Sequence, residues 1–231
     1  MHIFRPGSRR FLPGMVDNLS PEWKAVLSAG RRMVLKKGEF LLPDGETRSF
    51  GYLTSGRICS THTSYGGGAH SMLIFGPGTL VREAYVCSGF CQSLPHFQCL
   101  TDVECHIFPG DLLHDERFIA AHPELMRSML YSVSVKLSLF DAMLSIMSCR
   151  TVEEKVAMWM YYCCDSCGRS SFSPGISQIE LSLLLGVHKS SLNKVVLALK
   201  KHGILECFTK TRLSILDERR LFRAACGELL L

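Results

Sequence analysis

The side chains best suited to chemistry lie between His188 and Arg212, and they carry positive charges and hydrogen-bond donors. The candidates in this stretch are His188, Lys189, Ser190, Ser191, Asn193, Lys194, Lys210 and Arg212. Lysine, asparagine and hydroxyl side chains can donate hydrogen bonds to guanine edges and to phosphate oxygens. These residues therefore indicate binding to a polyanion such as a double-stranded DNA operator.

The charge distribution supports the same interpretation. The 231 residues carry a net charge of +5, of which residues 150–231 contribute +4. Most of this excess comes from six cations that Glu206 alone opposes locally: Lys189, Lys194, Lys200, Lys201, Lys210 and Arg212. A basic cluster inside a folded domain attracts polyanions, but it can equally be a solvated face. The cluster needs a structural motif beside it.

A helix-turn-helix pattern over residues 176–199 supplies that motif. Ser177 can cap the first helix, Gly186 permits a sharp turn, and Val187 can fill the gap between the helices. The apolar positions predicted to face inward are Leu181, Leu184 and Leu185, then Leu192, Val195, Val196 and Leu199. The outward face of the second helix carries Lys189, Ser190, Asn193, Lys194 and Lys201 and no carboxylate. Such a face suits the major groove of DNA.

Two strands follow, at residues 204–208 and 212–216 around the turn Thr209-Lys210-Thr211, and they read as a wing. Lys210 and Arg212 are expected to contact backbone phosphates and to position the domain. The alternative is an ordinary helical hairpin with a charged surface. Spacing, glycine turn, basic face and wing together favour DNA binding.

Upstream, a long helix is predicted over residues 123–148. Its apolar residues recur alternately at steps of four and three: Met126, Leu130, Val133, Leu137, Phe140, Leu144 and Met147. A sustained heptad pattern of this kind lets two copies of a chain pair along their helices. The alternative is a helix packed on its own domain; the strict spacing favours a dimer interface formed by Leu130, Val133, Leu137, Phe140, Leu144 and Met147.

Residues 31–109 read as short apolar runs separated by glycines, with strands at 33–35, 51–54, 72–75 and 103–108. Turn signals every few residues predict a small antiparallel roll or barrel. A helix is predicted from the capping-box spacing at Thr151 to about Cys163, and the polar stretch 165–175 is predicted to be a loop.

The glycine pattern of this region resembles the opening of the jelly roll in Crp/Fnr family regulators. It reads Lys37-Gly38-x-x-Leu41-x-x-x-Gly45-Glu46, then Tyr52-Leu53-x-x-Gly56-x-Ile58. The resemblance covers residues 31–217 and is most specific in the helix-turn-helix. It implies an α+β chain with an N-terminal β-roll (a double-stranded jelly roll) at 1–122, a long dimerisation helix at 123–148 and a C-terminal winged helix-turn-helix at 149–231.

The same resemblance implies a homodimer that binds DNA, responds to a small-molecule effector and contacts RNA polymerase. The chain departs from the family in its recognition helix, where Lys189, Ser190 and Lys194 replace the usual arginine, glutamate and arginine. Lysine lacks the planar fork of arginine, and serine accepts more weakly than glutamate. The operator is therefore expected to differ from the common half-site of the family.

The resemblance also places a candidate effector pocket, comprising Arg82, Glu83, Tyr85, Phe97, Val133 and Leu137. Glu83 matches the ribose-binding glutamate of cyclic-nucleotide binders, but residues 93–96 hold no arginine for the phosphate. Because a buried phosphate without a cation is costly, a cyclic nucleotide is not expected. Arg82 is the alternative phosphate ligand, and an apolar or aromatic acid is the preferred class of effector.

The eleven cysteines are interpreted as reduced and mostly buried, and the cofactor stays unknown. Iron-sulfur members of the family use an N-terminal cysteine group, whereas the first cysteine here is Cys59, so a cluster is not expected. A haem with an axial His70, His96 or His106 is the main alternative, which would make the chain a gas or redox sensor.

Other function classes fit less well. The sequence shows no catalytic triad order, paired carboxylates, P-loop or HExxH motif, so an enzyme is not expected. A helix-turn-helix that acts only through protein partners is a third possibility. No signal-peptide pattern precedes residue 14, and Arg127, Lys136 and Asp141 interrupt the most apolar stretch, so a cytoplasmic protein without membrane contact is expected.

Overall fold

The computed structural model describes residues 11–41, 48–63, 69–89 and 96–229, with 62–63 and 69–71 described by backbone alone. The chain divides into two compact units. The N-terminal unit is Met15–Ser138, and the C-terminal unit is residues 11–14 together with 139–229. Several sequence features named above lie outside the described residues, namely Gly45, Glu46 and residues 93–95.

The described part of the N-terminal unit is built mainly from nine strands. They are β1 (Met15–Val16), β2 (Arg31–Leu35), β3 (Phe40–Leu41), β4 (Ser49–Ser55), β5 (Ile58–Thr63), β6 (Ala69–Phe75), β7 (Thr79–Val81), β8 (His96–Cys99) and β9 (Val103–Pro109). One sheet has the order β1-β6-β5-β8-β3 and the other the order β2-β9-β4-β7. This arrangement confirms the predicted β-roll.

Neighbouring strands in these two sheets pair antiparallel, whereas β1 and β6 pair parallel. Strand β1 was not predicted, because its two residues carry no alternation of polar and apolar positions. Gly56 follows β4 with φ +82°, and a Cβ built there would lie 2.2 Å from the carbonyl oxygen of Asp102. The hairpin end therefore requires glycine.

The core of this unit centres on three aromatic rings. Trp23 is fully buried and meets Phe50 and Phe108 edge-on, with ring centroids 5.3 and 5.5 Å apart. Trp23 belongs to a 3-10 helix, Pro21–Ala29. The other helical segments are α1 (Glu83–Ser88), a 3-10 helix (Gly110–Leu113), α2 (Glu116–Ala121) and α3 (Pro123–Met147), of which the residues from Leu139 onward belong to the C-terminal unit. Phe50 and Phe108 lie on the neighbouring strands β4 and β9, so these ring contacts pack the 3-10 helix against the sheet β2-β9-β4-β7.

Helix α3 confirms the long helix predicted from the heptad pattern. Among the described residues it is the one helix whose length and apolar composition would allow it to cross a membrane, on those two criteria alone. Ser128, Ser132 and Lys136 of this helix are nevertheless buried within the N-terminal unit. Their burial is typical of a helix that packs in a protein core, and all three side chains form hydrogen bonds there.

The C-terminal unit continues after α3 with further helices and a small sheet. The elements are α4 (Val152–Cys167), β10 (Ser171–Phe172), α5 (Gln178–Leu184), α6 (Lys189–Lys201), β11 (Leu205–Phe208), β12 (Leu213–Ile215) and α7 (Glu218–Ala225). The sheet has the order β10-β12-β11 and is antiparallel. It confirms the predicted hairpin and adds a third strand to it.

The loop predicted over residues 165–175 is wrong in two places. Helix α4 continues to Cys167, because the buried thiols of Cys163, Cys164 and Cys167 extend its apolar face. Gly168 then ends the helix with φ +60°. Residues 171–172 form β10, whose two residues pair with β12 and give too short a pattern to detect in the sequence.

Residues 11–14 pack within the C-terminal unit although they precede the roll in sequence. The fully buried indole of Trp159 donates a hydrogen bond to the Pro13 carbonyl at 3.0 Å and stacks on Phe208, with centroids 6.1 Å apart. A Cβ on Gly14, at φ +79°, would lie 2.5 Å from the side chain of Leu184. This short segment therefore contributes to the core beneath α4 and α5.

Candidate nucleic-acid interface and effector site

The first helix of the predicted helix-turn-helix has a complete capping box. Ser177 Oγ accepts a hydrogen bond from the Glu180 amide at 3.2 Å, and Glu180 Oε2 accepts one from the Ser177 amide at 2.8 Å. Two of the four amide donors that lack an intrahelical partner at the start of α5 are thereby satisfied. Leu181, Leu184 and Leu185 are fully buried, as the sequence pattern predicted.

The turn between the helices depends on Gly186, which has φ +61°. A residue with a Cβ is strained in that conformation. His188 then occupies the N-cap position of α6 in an extended conformation, and its Nδ1 lies 3.4 Å from Ser190 Oγ. Val187 is half-buried between the helices. These features confirm the helix-turn-helix geometry.

Helix α6 has one buried face and one polar face. Leu192, Val195, Val196 and Leu199 are buried, whereas Lys189, Ser190, Lys194 and Lys201 are exposed and Ser191 and Asn193 are half-buried. Among the described side chains, no ion pair involves Lys189 or Lys194. The helix thus offers two cations without a local counter-charge at its N-terminal half.

The wing carries the other two predicted cations, and each has a carboxylate nearby. Arg212 Nη2 lies 3.0 Å from Glu206 Oε2. Lys210 Nζ lies 3.9 Å from Glu180 Oε2. The sequence analysis assigned Glu206 as the only local counter-charge, and the fold adds Glu180, which is thirty residues from Lys210 in sequence. Their separation explains why the second pairing was missed.

Two hydrogen bonds to backbone carbonyls of the wing also hold it against the start of α5. The Gly175 amide donates to the Lys210 carbonyl at 3.0 Å. Gln178 Nε2 donates to the Phe208 carbonyl at 3.2 Å. Gln178 is therefore a positioning residue that the sequence analysis did not identify, since a glutamine on a helix gives no signal of a distant partner.

In the N-terminal unit, the candidate ribose ligand Glu83 is buried and already has partners. Its carboxylate forms an ion pair with Lys136 of α3, and Ser132 Oγ donates to Glu83 Oε1 at 3.4 Å. Lys136 Nζ also donates to the Leu80 carbonyl at 2.8 Å. Burial lowers the pKa of the Lys136 ammonium, and the neighbouring Glu83 opposes that shift.

Lys136 and Ser132 were not predicted as site residues. The available signal was the spacing of Ser128, Ser132 and Lys136, which puts three polar residues at four-residue steps on one face of an apolar helix. Their partners, Glu22 for Ser128 and Glu83 for the other two, are far away in sequence. Only the fold brings them together.

The remaining predicted pocket residues lie in different surroundings. Arg82 is buried, with φ +70°, immediately before α1. Tyr85 on α1 is half-buried, and burial raises the pKa of its hydroxyl. Phe97 is buried with its ring centroid 5.8 Å from that of Phe75. Val133 is half-buried, whereas Leu137 is exposed over 62% of its surface.

The predicted dimer residues form a stripe along the exposed face of α3. Leu130, Leu137 and Leu144 are 69%, 62% and 57% exposed in the single chain. The other three members of the stripe, Val133, Phe140 and Met147, are half-buried. We call these six residues the leucine stripe. The opposite face is buried, so the stripe is not the face that packs on the rest of the chain.

Candidate metal-ligating side chains within the described residues do not form a cluster. No group of three or more His, Cys, Asp or Glu side chains there could hold a metal ion. Burial raises the pKa of the Cys163 thiol and raises that of Cys164 to about 12, so both stay protonated. His106 Nδ1 lies 3.0 Å from the Leu27 carbonyl, which gives that imidazole a structural partner.

Comparisons with solved structures show the same fold. A CprK variant complexed with OCPA superimposes with a TM-score of 0.73 at 15% identity, covering 92% of this chain and 96% of that one. A CooA mutant from Carboxydothermus hydrogenoformans gives 0.70 at 16% identity, covering 91% and 100%. CLP from Xanthomonas campestris, a c-di-GMP-responsive regulator, gives 0.63 at 15% identity, covering 84% and 97%.

The sequence matches no protein-family model and no curated protein. The similar solved structures show that the chain has the Crp/Fnr-type fold, as its glycine pattern and helix-turn-helix predicted. At this level of sequence identity they establish the fold alone.

Proposed function

We propose that the chain is a cytoplasmic, homodimeric, DNA-binding transcription regulator of the Crp/Fnr type, and not an enzyme. The observation that carries this proposal is the helix-turn-helix with the exposed Lys189 and Lys194 on α6, which no described carboxylate pairs. The Crp/Fnr-type fold supports it, since the similar solved structures are transcription regulators. The proposed division of labour is an effector-sensing roll at 1–122, a dimerisation helix at 123–148 and a DNA-binding domain at 149–231.

Helix α6 enters the major groove by its N-terminal end in this proposal, as recognition helices of this motif do. Lys189, Ser190, Asn193 and Lys194 approach base edges and nearby phosphates, with His188 and Ser191 beside them. Lys210 and Arg212 on the wing approach the backbone. A dimer would then present two α6 helices to the two halves of an operator, and RNA polymerase is the proposed protein partner.

The leucine stripe is the proposed dimer interface. Three leucines at seven-residue steps remain mostly exposed in the single chain. Transfer of apolar surface out of water contributes roughly 25 cal/mol per Å². A second copy of α3 packed along the stripe would bury these side chains on both chains at once.

A small molecule other than a cyclic nucleotide is the proposed effector. The carboxylate that would accept a ribose hydroxyl is already held by Lys136 and Ser132. Regulators of this fold differ in their ligands, since CprK was solved with OCPA and CLP responds to c-di-GMP. Calorimetry with cyclic AMP and cyclic GMP is expected to show no binding at micromolar concentrations; a micromolar affinity for either would contradict the assignment.

Titration of a fluorescent random-sequence duplex at several salt concentrations tests DNA binding directly. The wild-type chain should bind more weakly as salt rises. Replacing Lys189 and Lys194 together by alanine should flatten the dependence of log K on log salt by about 0.9 for each lost phosphate contact. Lys24→Ala, which removes an exposed lysine of the N-terminal unit, is the control and should change nothing. Salt-independent or absent binding by the wild type would contradict the proposal.

A further inference from the structure

The cations of the C-terminal unit fall into two groups that differ in their counter-charges. Lys189 and Lys194 on α6 have no carboxylate partner among the described side chains. Lys210 lies 3.9 Å from Glu180, and Arg212 lies 3.0 Å from Glu206. The wing therefore presents two cations with two carboxylates beside them, and its local net charge is close to zero.

The fold holds Glu180 in this position. Its Oε2 atom accepts the Ser177 amide hydrogen bond at 2.8 Å, and the side chain is only 13% exposed. Because the capping box holds the carboxylate at the start of α5, Glu180 would have to break its hydrogen bond with the Ser177 amide to turn away from Lys210. The wing in turn is tied to the same helix start through Gln178 and Gly175.

A local irregularity of the hairpin accompanies the second carboxylate. The strand register shifts between Leu205 and Cys207, so Glu206 lies at a bulge of β11. Bulges redirect side chains at the ends of sheets. Glu206 contacts Arg212 from this position, and both side chains are about half exposed, so the pair faces solvent where DNA would approach.

We propose that Glu180 and Glu206 limit the electrostatic, sequence-independent contribution that the wing makes to DNA binding. This inference rests on the proposed DNA-binding function. Non-specific binding is electrostatic and depends on the number of phosphates that cations neutralise. Carboxylates beside Lys210 and Arg212 compete with phosphate oxygens for these two cations, and they also repel the phosphates. The base contacts that α6 makes are not affected. The wing therefore contributes less to the binding of any duplex than its two cations alone would.

Charge-neutral variants test the proposal. Glu180→Gln keeps an oxygen that can accept the Ser177 amide hydrogen bond, since glutamine also serves in a capping box. Glu206→Gln preserves the shape of an exposed strand residue. Glu228→Gln is the matched control, because Glu228 pairs with Arg223 at 3.7 Å in the same unit but away from the wing. Circular dichroism and thermal unfolding establish that each variant is folded.

Removing the charge of either Glu180 or Glu206 should tighten binding to a random duplex about three- to tenfold at low salt. The double variant should also steepen the salt dependence by up to about two phosphate contacts. Lys210→Ala and Arg212→Ala should have small effects in the wild type and larger ones in the double variant. Glu228→Gln should leave both affinity and slope unchanged.

Failure of the proposed DNA-binding function and failure of the role given to Glu180 and Glu206 would give different results. A wild-type chain that does not bind the random duplex at low salt contradicts the proposed DNA-binding function itself. A wild-type chain that binds, with a double variant of equal affinity and equal salt dependence, contradicts only the role given to Glu180 and Glu206. If Glu180→Gln unfolds, Glu206→Gln alone must still tighten binding, and a failure to do so overturns the proposal.

Discussion

The two faces of helix α3 each hold residues of an unexpected kind, namely buried polar side chains among apolar ones on the inner face and exposed leucines on the outer face. The face packed within the N-terminal unit carries Ser128, Ser132 and Lys136, all buried. The opposite face carries Leu130, Leu137 and Leu144, all more than half exposed. Buried charges are rare unless they are paired, and single exposed leucines are common, but a row of them at seven-residue steps is not.

The comparison shows which of the two faces finds its partners within its own chain. Each polar residue of the inner face has a partner in its own chain, namely Glu22 for Ser128 and Glu83 for Ser132 and Lys136. The leucine stripe, by contrast, is the face that the rest of the chain does not bury. Helix α3 therefore combines a self-contained inner face, close to the proposed effector pocket, with an outer face that suits a second copy.

The largest effect is expected from a charge in the leucine stripe. Leu137→Asp would put two carboxylates into the proposed interface, one from each chain, and a buried unpaired charge costs several kcal/mol. The dimer dissociation constant should rise by at least about a hundredfold, as measured by sedimentation equilibrium. Leu216→Asp is the control, because Leu216 is equally exposed (61%) but lies outside α3. A Leu137→Asp chain that still sediments as a dimer would show that the interface lies elsewhere.

The next effect concerns the inner face. Lys136→Met removes the ammonium and leaves the Glu83 carboxylate buried without its counter-charge, which typically costs about 3–5 kcal/mol of folding stability. Adding Glu83→Gln should recover most of the loss, because the neutral amide no longer needs a cation. Urea unfolding of the wild type and the single and double variants measures both steps. Equal stability of wild type and Lys136→Met would mean that the pair does not form in solution.

The smallest effect is a dependence on pH. Because burial lowers the pKa of Lys136, the folded chain gives up this proton at a lower pH than the unfolded chain, whose lysine titrates near 10.5. Between these two pKa values the unfolded state binds more protons, so the contribution of Lys136 to stability rises with pH. The difference in unfolding free energy between wild type and Lys136→Met should therefore increase from neutral pH towards 10.5. A difference that stays constant over this pH range would contradict the lowered pKa of Lys136.

The sequence predicted the C-terminal unit better than the N-terminal one, for a physical reason. Ser177, Gly186 and the buried leucines of α5 act within a few residues of one another, so their spacing alone specifies caps, turn and inward face. The roll was recognised from glycines such as Gly56, which mark hairpin ends. Local chemistry of this kind can be read along the chain.

Long-range contacts could not be read in the same way. The Glu83–Lys136 pair joins residues 53 positions apart, and the Trp159–Pro13 hydrogen bond joins residues 146 positions apart. Strands β1 and β10 have two residues each and owe their existence to the strands they pair with. The family resemblance predicted an effector pocket around Arg82 and Glu83, but the sequence did not show that α3 supplies the counter-charge to Glu83.

The central claim, that this chain is a dimeric DNA-binding regulator, is tested most directly by selecting duplexes from a random library with the wild-type protein. We expect an enriched inverted repeat, with half-site centres about one helical turn, roughly 10–10.5 base pairs, apart, because two α6 helices related by a two-fold axis read equivalent sequences. The Leu137→Asp chain should enrich no inverted repeat under the same conditions. Enrichment of no motif by the wild type, or of an asymmetric one that Leu137→Asp selects equally well, would contradict the account.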